Sequence, residues 1–307
     1  MNEKVSVLQV DNLSVSFSMY NKGLSKRDLE VIHQLSIDVK KGEIVAVVGS
    51  SGSGKSLLAH AIMGILPENS KTKGSIKYYN DELNEKYLRK VRGKDIAFIP
   101  QSVDFLDPLM KVGKQVVGIN GNKERQKEVF KKYNLDDKVA EMYPFQLSGG
   151  MARRVLIATA VMNEAKLIIA DEPTPGLNLE LAMETLNNFR EIADSGCGVL
   201  LITHDVDLAL NVADRIAVFY SGTIVEIAQV EDFIKGKDAL RHPYSKAFID
   251  ALPQNKFKEL PGYQPYVGNL PKGCLFRDRC SLKTDECCME IKMRKVRDGE
   301  VRCINAT

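Results

Sequence analysis

The eight residues Gly49-Ser50-Ser51-Gly52-Ser53-Gly54-Lys55-Ser56 follow directly on the apolar run Ile44-Val45-Ala46-Val47-Val48 and fit the pattern G-x-x-x-x-G-K-S/T. That pattern constrains the fold because it works only as a turn between a buried parallel strand and a helix, and Leu57 to Met63 reads as the helix. Backbone N–H groups can wrap a phosphate only where the chain turns without side-chain clashes, which accounts for Gly49, Gly52 and Gly54. The helix N-terminus adds partial positive charge, Lys55 can reach the β- and γ-phosphates, and the Ser56 hydroxyl can ligate Mg2+. A flexible Gly/Ser turn could carry the same letters, but not with a strand before it and a helix after it. The segment reads as a nucleoside triphosphate site.

Three further segments narrow the chemistry. Lys166 to Ala170 is an apolar strand ending in Asp171 and Glu172, whose side chains alternate and so can do separate jobs. Asp171 suits Mg2+, through water, and Glu172 suits polarising the water that attacks the γ-phosphate. Leu147-Ser148-Gly149-Gly150-Met151 precedes the helical run Ala152 to Met162, and Ser-Gly-Gly at a helix start is a second anion site. Leu200-Leu201-Ile202-Thr203 ends in His204, one of only four histidines, where a group sensing the γ-phosphate is needed.

In this order and spacing the chain resembles the ATP-binding subunit of an ABC transporter over about residues 7 to 250. Gly49 to Ser56 is similar to its Walker A motif, Ile169 to Glu172 to Walker B, Leu147 to Met151 to the signature motif, and His204 to the switch histidine. Gln101, after the strand Asp95 to Phe98, matches the glutamine loop that touches Mg2+ and the permease. Phe17, with Tyr20 as the alternative, stands where the family's aromatic stacks on adenine. In that family two subunits dimerise head to tail, so Ser148, Gly149 and Gly150 would serve the partner's ATP. His242 to Pro253 and Pro271 to Cys280 look like the segment and cysteine-bearing tail that follow the ATPase core in oligopeptide, dipeptide and nickel importers. The resemblance implies an α/β fold, with an ABC-type P-loop NTPase core, an antiparallel β subdomain, a helical subdomain and a small C-terminal cysteine-bearing extension. The expected division is residues 1–252 for the ATPase, with the helical subdomain at about 102–162, and 253–307 for the extension.

The chain departs from the family pattern at three places. Asn178 stands where an Asp is usual, in the loop that couples the two sites. Ala152 and Arg153 replace the more usual polar pair after the signature motif, and the stretch from Ser102 to Gln146 looks short. None of these removes a residue from the chain's own hydrolytic set.

Composition agrees. The 307 residues are 44% hydrophobic, enough for one sizeable core plus an appendage, and a net charge of +3 argues against a large nucleic-acid-binding face. Lys292, Arg294, Lys295 and Arg297 read as a solvated face. No apolar run nears the 18 or so residues that span a bilayer, and Met1-Asn2-Glu3-Lys4 lacks the apolar core of a secretory signal. The expected location is therefore the cytoplasmic face of the cell membrane, held there by separate permease chains. Residues 5 to about 100 read as strands with one helix after the phosphate loop. Glu124 to Tyr133 reads as an amphipathic helix, Lys166 to Ile227 as alternating strands and helices of a parallel sheet, and about Pro253 to Pro271 as a linker.

Five of the six cysteines crowd the end of the chain in the spacing C-x5-C-x6-C-C-x14-C, while Cys197 reads as a small buried residue of the core. Clustered thiols in a cytosolic protein suggest metal or redox chemistry, though the C-x2-C knuckle of structural zinc is missing. The resembled importers carry a similar pattern in which a 4Fe-4S cluster is implied for some, and Cys274, Cys280, Cys287 and Cys303 match it. A 4Fe-4S cluster, Zn2+ and free thiols remain open.

Two functions follow. The first is an ATPase that powers an importer of peptides, nickel or a related small solute. Its partners would be a second ATPase subunit, a paralogue by family pattern, two transmembrane permeases and an extracytoplasmic binding protein. The second is a soluble ABC ATPase acting on nucleic acid or ribosomes. A single Walker A motif, no long coiled coil and no strongly basic surface weigh against it.

Overall fold

The fold is described from a computed structural model, over residues 5–20, 25–118, 121–255 and 257–306; Met1 to Lys4, read above for the lack of a signal, lie outside these. Two long strands open the chain, β1 (Ser6–Tyr20) and β2 (Lys26–Lys40), and pair antiparallel. The chain then enters a second sheet as β3 (Ile44–Val48) and turns into α1 (Lys55–Met63). It returns through β4 (Ser70–Tyr78) and the short β5 (Asp81–Glu82), so the antiparallel sheet has the order β2-β1-β4-β5. A second helix before residue 100, α2 (Glu85–Val91), was not expected from a stretch read as strands. Asn84 starts it by accepting the Tyr87 N–H at 3.0 Å, a local cap that strand periodicity does not reveal.

The larger sheet takes β6 (Ile96–Ile99) and then gives way to helices α3 (Val112–Val117), α4 (Lys123–Lys132) and α5 (Gly149–Val161), joined by 3-10 turns. These fall within the region expected to be helical, and α4 is the amphipathic helix expected there. Then come β7 (Leu167–Asp171), α6 (Leu179–Asp194), β8 (Gly198–Thr203), α7 (Val206–Leu210), β9 (Arg215–Tyr220) and β10 (Thr223–Gln229). The short α8 (Val230–Ile234) and α9 (Pro243–Asp250) lead to a closing hairpin of β11 (Arg294–Val296) and β12 (Gly299–Val301).

The sheet order is β11-β12-β10-β9-β3-β8-β7-β6, parallel from β9 to β6. The expectation of a parallel sheet as far as Ile227 is corrected at the edge. β9 and β10 are antiparallel, turning through Ser221 and Gly222, both at positive φ, as a two-residue hairpin of type I′ requires. The tail beyond the linker rejoins the molecule, because β12 pairs with β10 at Glu226 and Ile227. Arg294, expected on a solvated face, donates to the carbonyls of Cys303 and Ile304 at 2.9 Å each and ties the hairpin to the last residues.

β3 is buried on both faces, as a central parallel strand must be. Ile44, Ala46 and Val48 face the helical side with α5 and α6, while Val45 and Val47 face α1 and the antiparallel sheet. The carboxyl ends of the strands finish level: Val48 stands opposite Thr203, Ile202 opposite Asp171, and Ala170 opposite Ile99. Open parallel sheets bind ligands at that end. Among the described residues no helix is long and apolar enough to cross a membrane.

Candidate functional site

The phosphate loop leaves β3 pressed against β9. A Cβ at Gly49 would stand 2.4 Å from the Phe219 carbonyl oxygen, so only glycine lets the loop begin this close to the strand. Gly54 precedes α1 at φ 103°, a backbone conformation that side chains resist. Lys55 opens α1 and is buried, and its ammonium donates to the carbonyls of Gly49 at 2.8 Å and Ser50 at 3.0 Å. The cation is thus held inside the curl of the loop. Burial draws its pKa down, while Glu172 and Asp171 push it back up. The Ser53 hydroxyl is buried in the same loop with no hydrogen-bond partner among the described residues, and Ser51 and Gly52 form its exposed crest.

Asp171 ends β7 at 0% exposure, and neither carboxylate oxygen has a hydrogen-bond partner among the described residues. Burial raises its pKa; the Ser56 hydroxyl beside it works the other way without closing a bond of normal geometry, and the Glu172 charge raises it further. A buried carboxylate with no donors is costly, and a hard cation with oxygen ligands is the group that would satisfy it. Ser56 and Asp171 therefore fit Mg2+. Glu172 is buried too, held at φ 48°, with its N–H donating to the Ile202 carbonyl at 2.9 Å. A non-glycine residue there stores on the order of 1 kcal/mol or more. The Glu172 carboxylate meets His204, whose Nδ1 lies 2.8 Å and 2.9 Å from the two oxygens. The imidazole is half exposed, while the carboxylate it meets is buried.

Gln101 follows β6 with its side chain exposed and its backbone carbonyl held by Arg153 of α5. Phe17 is half-buried on β1 opposite Leu29, two residues along from Val31, whose carbonyl approaches Gly54. Tyr20, the alternative, is 71% exposed. Ser148 caps α5, accepting the Met151 N–H at 3.3 Å, with Gly149 and Gly150 behind it. Among the described residues no hydrogen bond or ion pair joins these three to the phosphate loop; Gly150 lies against the carbonyl of Gly176. The structure thus gathers Gly49 to Ser56, Asp171, Glu172 and His204 at one end of the sheet and holds the Ser-Gly-Gly start of α5 apart.

Residues 32–175 match the family model for ABC transporters, and residues 225–287 match that for the oligopeptide/dipeptide transporter C-terminal region. The chain is 33% identical to a probable D,D-dipeptide transport ATP-binding protein of Escherichia coli, over 97% of its own length and 95% of the relative's. It is 35% identical to the dipeptide transport ATP-binding protein of Bacillus subtilis, over 89% of this chain and 86% of the other. The dimeric structure of the bacterial ABC transporter cassette MJ0796 superposes with a TM-score of 0.65 at 26% identity, covering 73% of this chain and 98% of that one. The chain belongs to the ABC transporter ATP-binding family. Its activity is that of an ABC ATPase, with ATP and Mg2+ as the family's nucleotide and metal.

Within this cassette the departures have local explanations. Asn178 caps α6, accepting the Leu181 N–H at 2.9 Å, a task that Asn and Asp perform equally, so the exchange removes charge and keeps the cap. Two residues escaped the sequence reading. Arg153 stands out in the sequence only as a departure, yet it is buried and binds the Pro100 and Gln101 carbonyls of the glutamine loop. Gln264 lies in a linker without periodicity, and its side-chain oxygen accepts the Ser50 hydroxyl of the Walker A loop at 3.1 Å. No local signal in the sequence marks it.

Cys197 fits the reading of a small buried core residue, its thiol pushed up to about 12 by burial. The terminal cysteines are free. Burial pushes Cys274 up to about 11, with the Phe276 N–H working the other way and Cys303, Cys287 and Cys280 adding to the rise, so these four lie within each other's fields. Cys288 is exposed and takes an Arg277 N–H at 3.1 Å, outside the set. Among the described residues no three His, Cys, Asp or Glu side chains form a group placed to hold a metal ion, so the cluster expectation finds no preformed site.

Proposed function

We propose that this chain hydrolyses ATP to energise an importer of peptides, with residues 1–252 as the ATPase and 253–307 as the extension. The observation that carries the reading is one buried carboxylate without donors, Asp171, beside Ser56 and next to the strained Glu172–His204 pair, at the sheet end where the phosphate loop begins. The relatives are named for transport of dipeptides and oligopeptides, which favours peptides over nickel as the solute.

The chain's residues divide the work. The N–H groups of Gly49 to Ser56 and the Lys55 ammonium take up the negative charge of the β- and γ-phosphates. Ser56, Asp171 and Gln101 would hold Mg2+, which would supply neutralisation of the charge developing on the phosphate oxygens. Glu172 orients and polarises the attacking water, and His204 keeps that carboxylate facing the γ-phosphate. Phe17 stacks on the adenine. Ser148, Gly149 and Gly150 serve the nucleotide of a second ATPase subunit, a paralogue, and Asn178 lies in the loop that couples the two sites. Two permeases and an extracytoplasmic binding protein complete the importer, with this chain at the cytoplasmic face of the membrane. For the terminal cysteines the donor chemistry suits a 4Fe-4S cluster, with Zn2+ as the alternative, though the thiols would first have to converge.

The test is steady-state ATP hydrolysis by the full chain against Glu172→Gln, which we expect to lose turnover while still binding ATP. Equal turnover would remove Glu172 from its role. Co-purification from gently solubilised membranes should bring two permeases and a second ATPase. Recovery with ribosomes or nucleic acid would instead favour the soluble class. Iron, sulfide and zinc analysis of anaerobically purified chain decides the cysteine reading.

A further inference from the structure

Helix α5 carries two consecutive arginines that reach different elements. Arg153 turns inward to the segment after β6, donating to the Pro100 carbonyl at 2.8 Å and to the Gln101 carbonyl. Arg154 turns to the helical subdomain, donating to the carbonyls of Asn134 at 2.7 Å, Tyr133 at 3.2 Å and Gly150 at 3.3 Å. Only Arg153 is buried, at 7% exposure, and its Nε has no partner among the described residues.

A buried guanidinium is costly unless something offsets the lost water. Here the two carbonyls do part of this, and the carboxylates of Asp171 and Glu172 supply the opposing field. The cation therefore joins the glutamine loop to α5 and stands in the field of the two carboxylates. Ser148 caps the same helix five residues earlier, roughly 7.5 Å along its axis. Over so short a span a helix is stiff, so a displacement at its first turn is delivered to Arg153.

We propose that Arg153 is a positioning residue of the hydrolytic site. It fixes the Gln101 loop to α5, so that the Ser148–Gly150 end of the helix and the Gln101 loop move as one body. The proposal rests on the roles read above for Gln101 and Ser148. It differs from a mere buried strut in what it asks of the loop: a strut would hold α5 in the fold, whereas this contact sets where Gln101 stands.

The test is amide hydrogen exchange on the full chain, read beside steady-state ATP kinetics, for the parent, Arg153→Ala, Arg153→Lys and Arg154→Ala. Arg153→Ala should speed exchange across residues 101–106 by about tenfold or more, because the bonds to the Pro100 and Gln101 carbonyls that anchor the start of that segment are lost. Arg153→Lys keeps the charge, stands in for the alanine variant should that fail to fold, and should restore part of the protection. Arg154→Ala should leave that segment unchanged. In hydrolysis, kcat of Arg153→Ala should fall about tenfold with KM for ATP within about twofold. Unchanged exchange at 101–106, equal acceleration by Arg154→Ala, or altered exchange with kcat unmoved would each overturn the proposal. A parent chain that hydrolyses no ATP would count against the functional reading above and leave the exchange result to decide the clamp.

Discussion

Asp171 and Glu226 are both carboxylates at 0% exposure, one in the nucleotide end of the sheet and one at the edge that receives the extension. Asp171 has no hydrogen-bond donor among the described residues. Glu226 has three: the backbone N–H groups of Arg241 and His242 at 2.8 Å each, and the Arg241 guanidinium at 3.4 Å. Arg241 in turn pairs with Asp232 at 2.9 Å and donates to the Val296 carbonyl at 2.6 Å, so this network fastens the hairpin β11–β12 to the core. Equal burial thus serves opposite ends. A carboxylate with its donors supplied holds the fold, and one left without them waits for a ligand.

The sharpest way to break that comparison is kinetic. Glu172→Gln should lower ATP turnover by about 10²–10⁴-fold, the range for a group that activates the attacking water, with the thermal midpoint little moved. Loss of stability in step with turnover would mean that Glu172 is a structural residue like Glu226.

Next in size is the mirror experiment. Glu226→Gln leaves the buried Arg241 with Asp232 as its remaining counter-charge and should destabilise the chain by about 3 kcal/mol, the low end for a broken buried pair, read by urea denaturation, with turnover per folded molecule unchanged. Asp171→Asn removes an unpartnered buried charge, so the chain without nucleotide should be as stable as the parent or more so, while Mg2+-dependent hydrolysis is lost. Matching losses of stability in the two variants would erase the distinction.

A smaller effect comes from His242, buried at the same edge, where it caps α9 by accepting the Tyr244 N–H at 2.9 Å. Burial lowers its pKa to about 3, against about 6.5 in the unfolded chain. Because the folded value is depressed, its contribution to stability is intact above about pH 6.5 and lost as pH falls from there toward 3. Stability should drop by about 2 kcal/mol from this group alone by pH 5. His242→Asn, which keeps a good cap, should flatten that acid slope; an unchanged slope would assign it to carboxylates instead.

The nucleotide end was largely legible in the sequence because its chemistry is local. Gly49 to Ser56, Asp171, Glu172 and His204 each sit at the end of a short apolar strand, and level strand ends bring them together without further instruction. The antiparallel edge was less so: β10 is buried almost throughout, as the parallel strands are, and only the Ser221-Gly222 turn betrays the reversal. The extension was least legible. Its cysteines are visible, but Arg241, Glu226 and Val296 meet across a separation of up to 70 residues that no periodicity encodes. Arg153 shows the middle case, a residue visible as a departure whose partner is known only once β6 and α5 are packed.

The two regions touch at Gln264, and the smallest prediction tests that contact. Gln264, in the linker to the extension, accepts the Ser50 hydroxyl of the Walker A loop at 3.1 Å. The same linker is tied back by Arg279, next to Cys280, which donates to the Pro261 carbonyl at 2.8 Å and the Leu260 carbonyl at 3.3 Å. An exposed neutral bond of this kind contributes about 0.5–1.5 kcal/mol, so Gln264→Ala should change the affinity for ATP by no more than about tenfold. The sign separates two pictures. Weaker binding would mean that the linker braces the loop in its phosphate-ready curl, and tighter binding would mean that the bond competes with nucleotide for the Ser50 hydroxyl. Titration of a fluorescent ATP analogue into the full chain reads either. If affinity does not move in Gln264→Ala or in Arg279→Ala, the extension is fastened to the sheet edge alone and the nucleotide end answers only to its own strands.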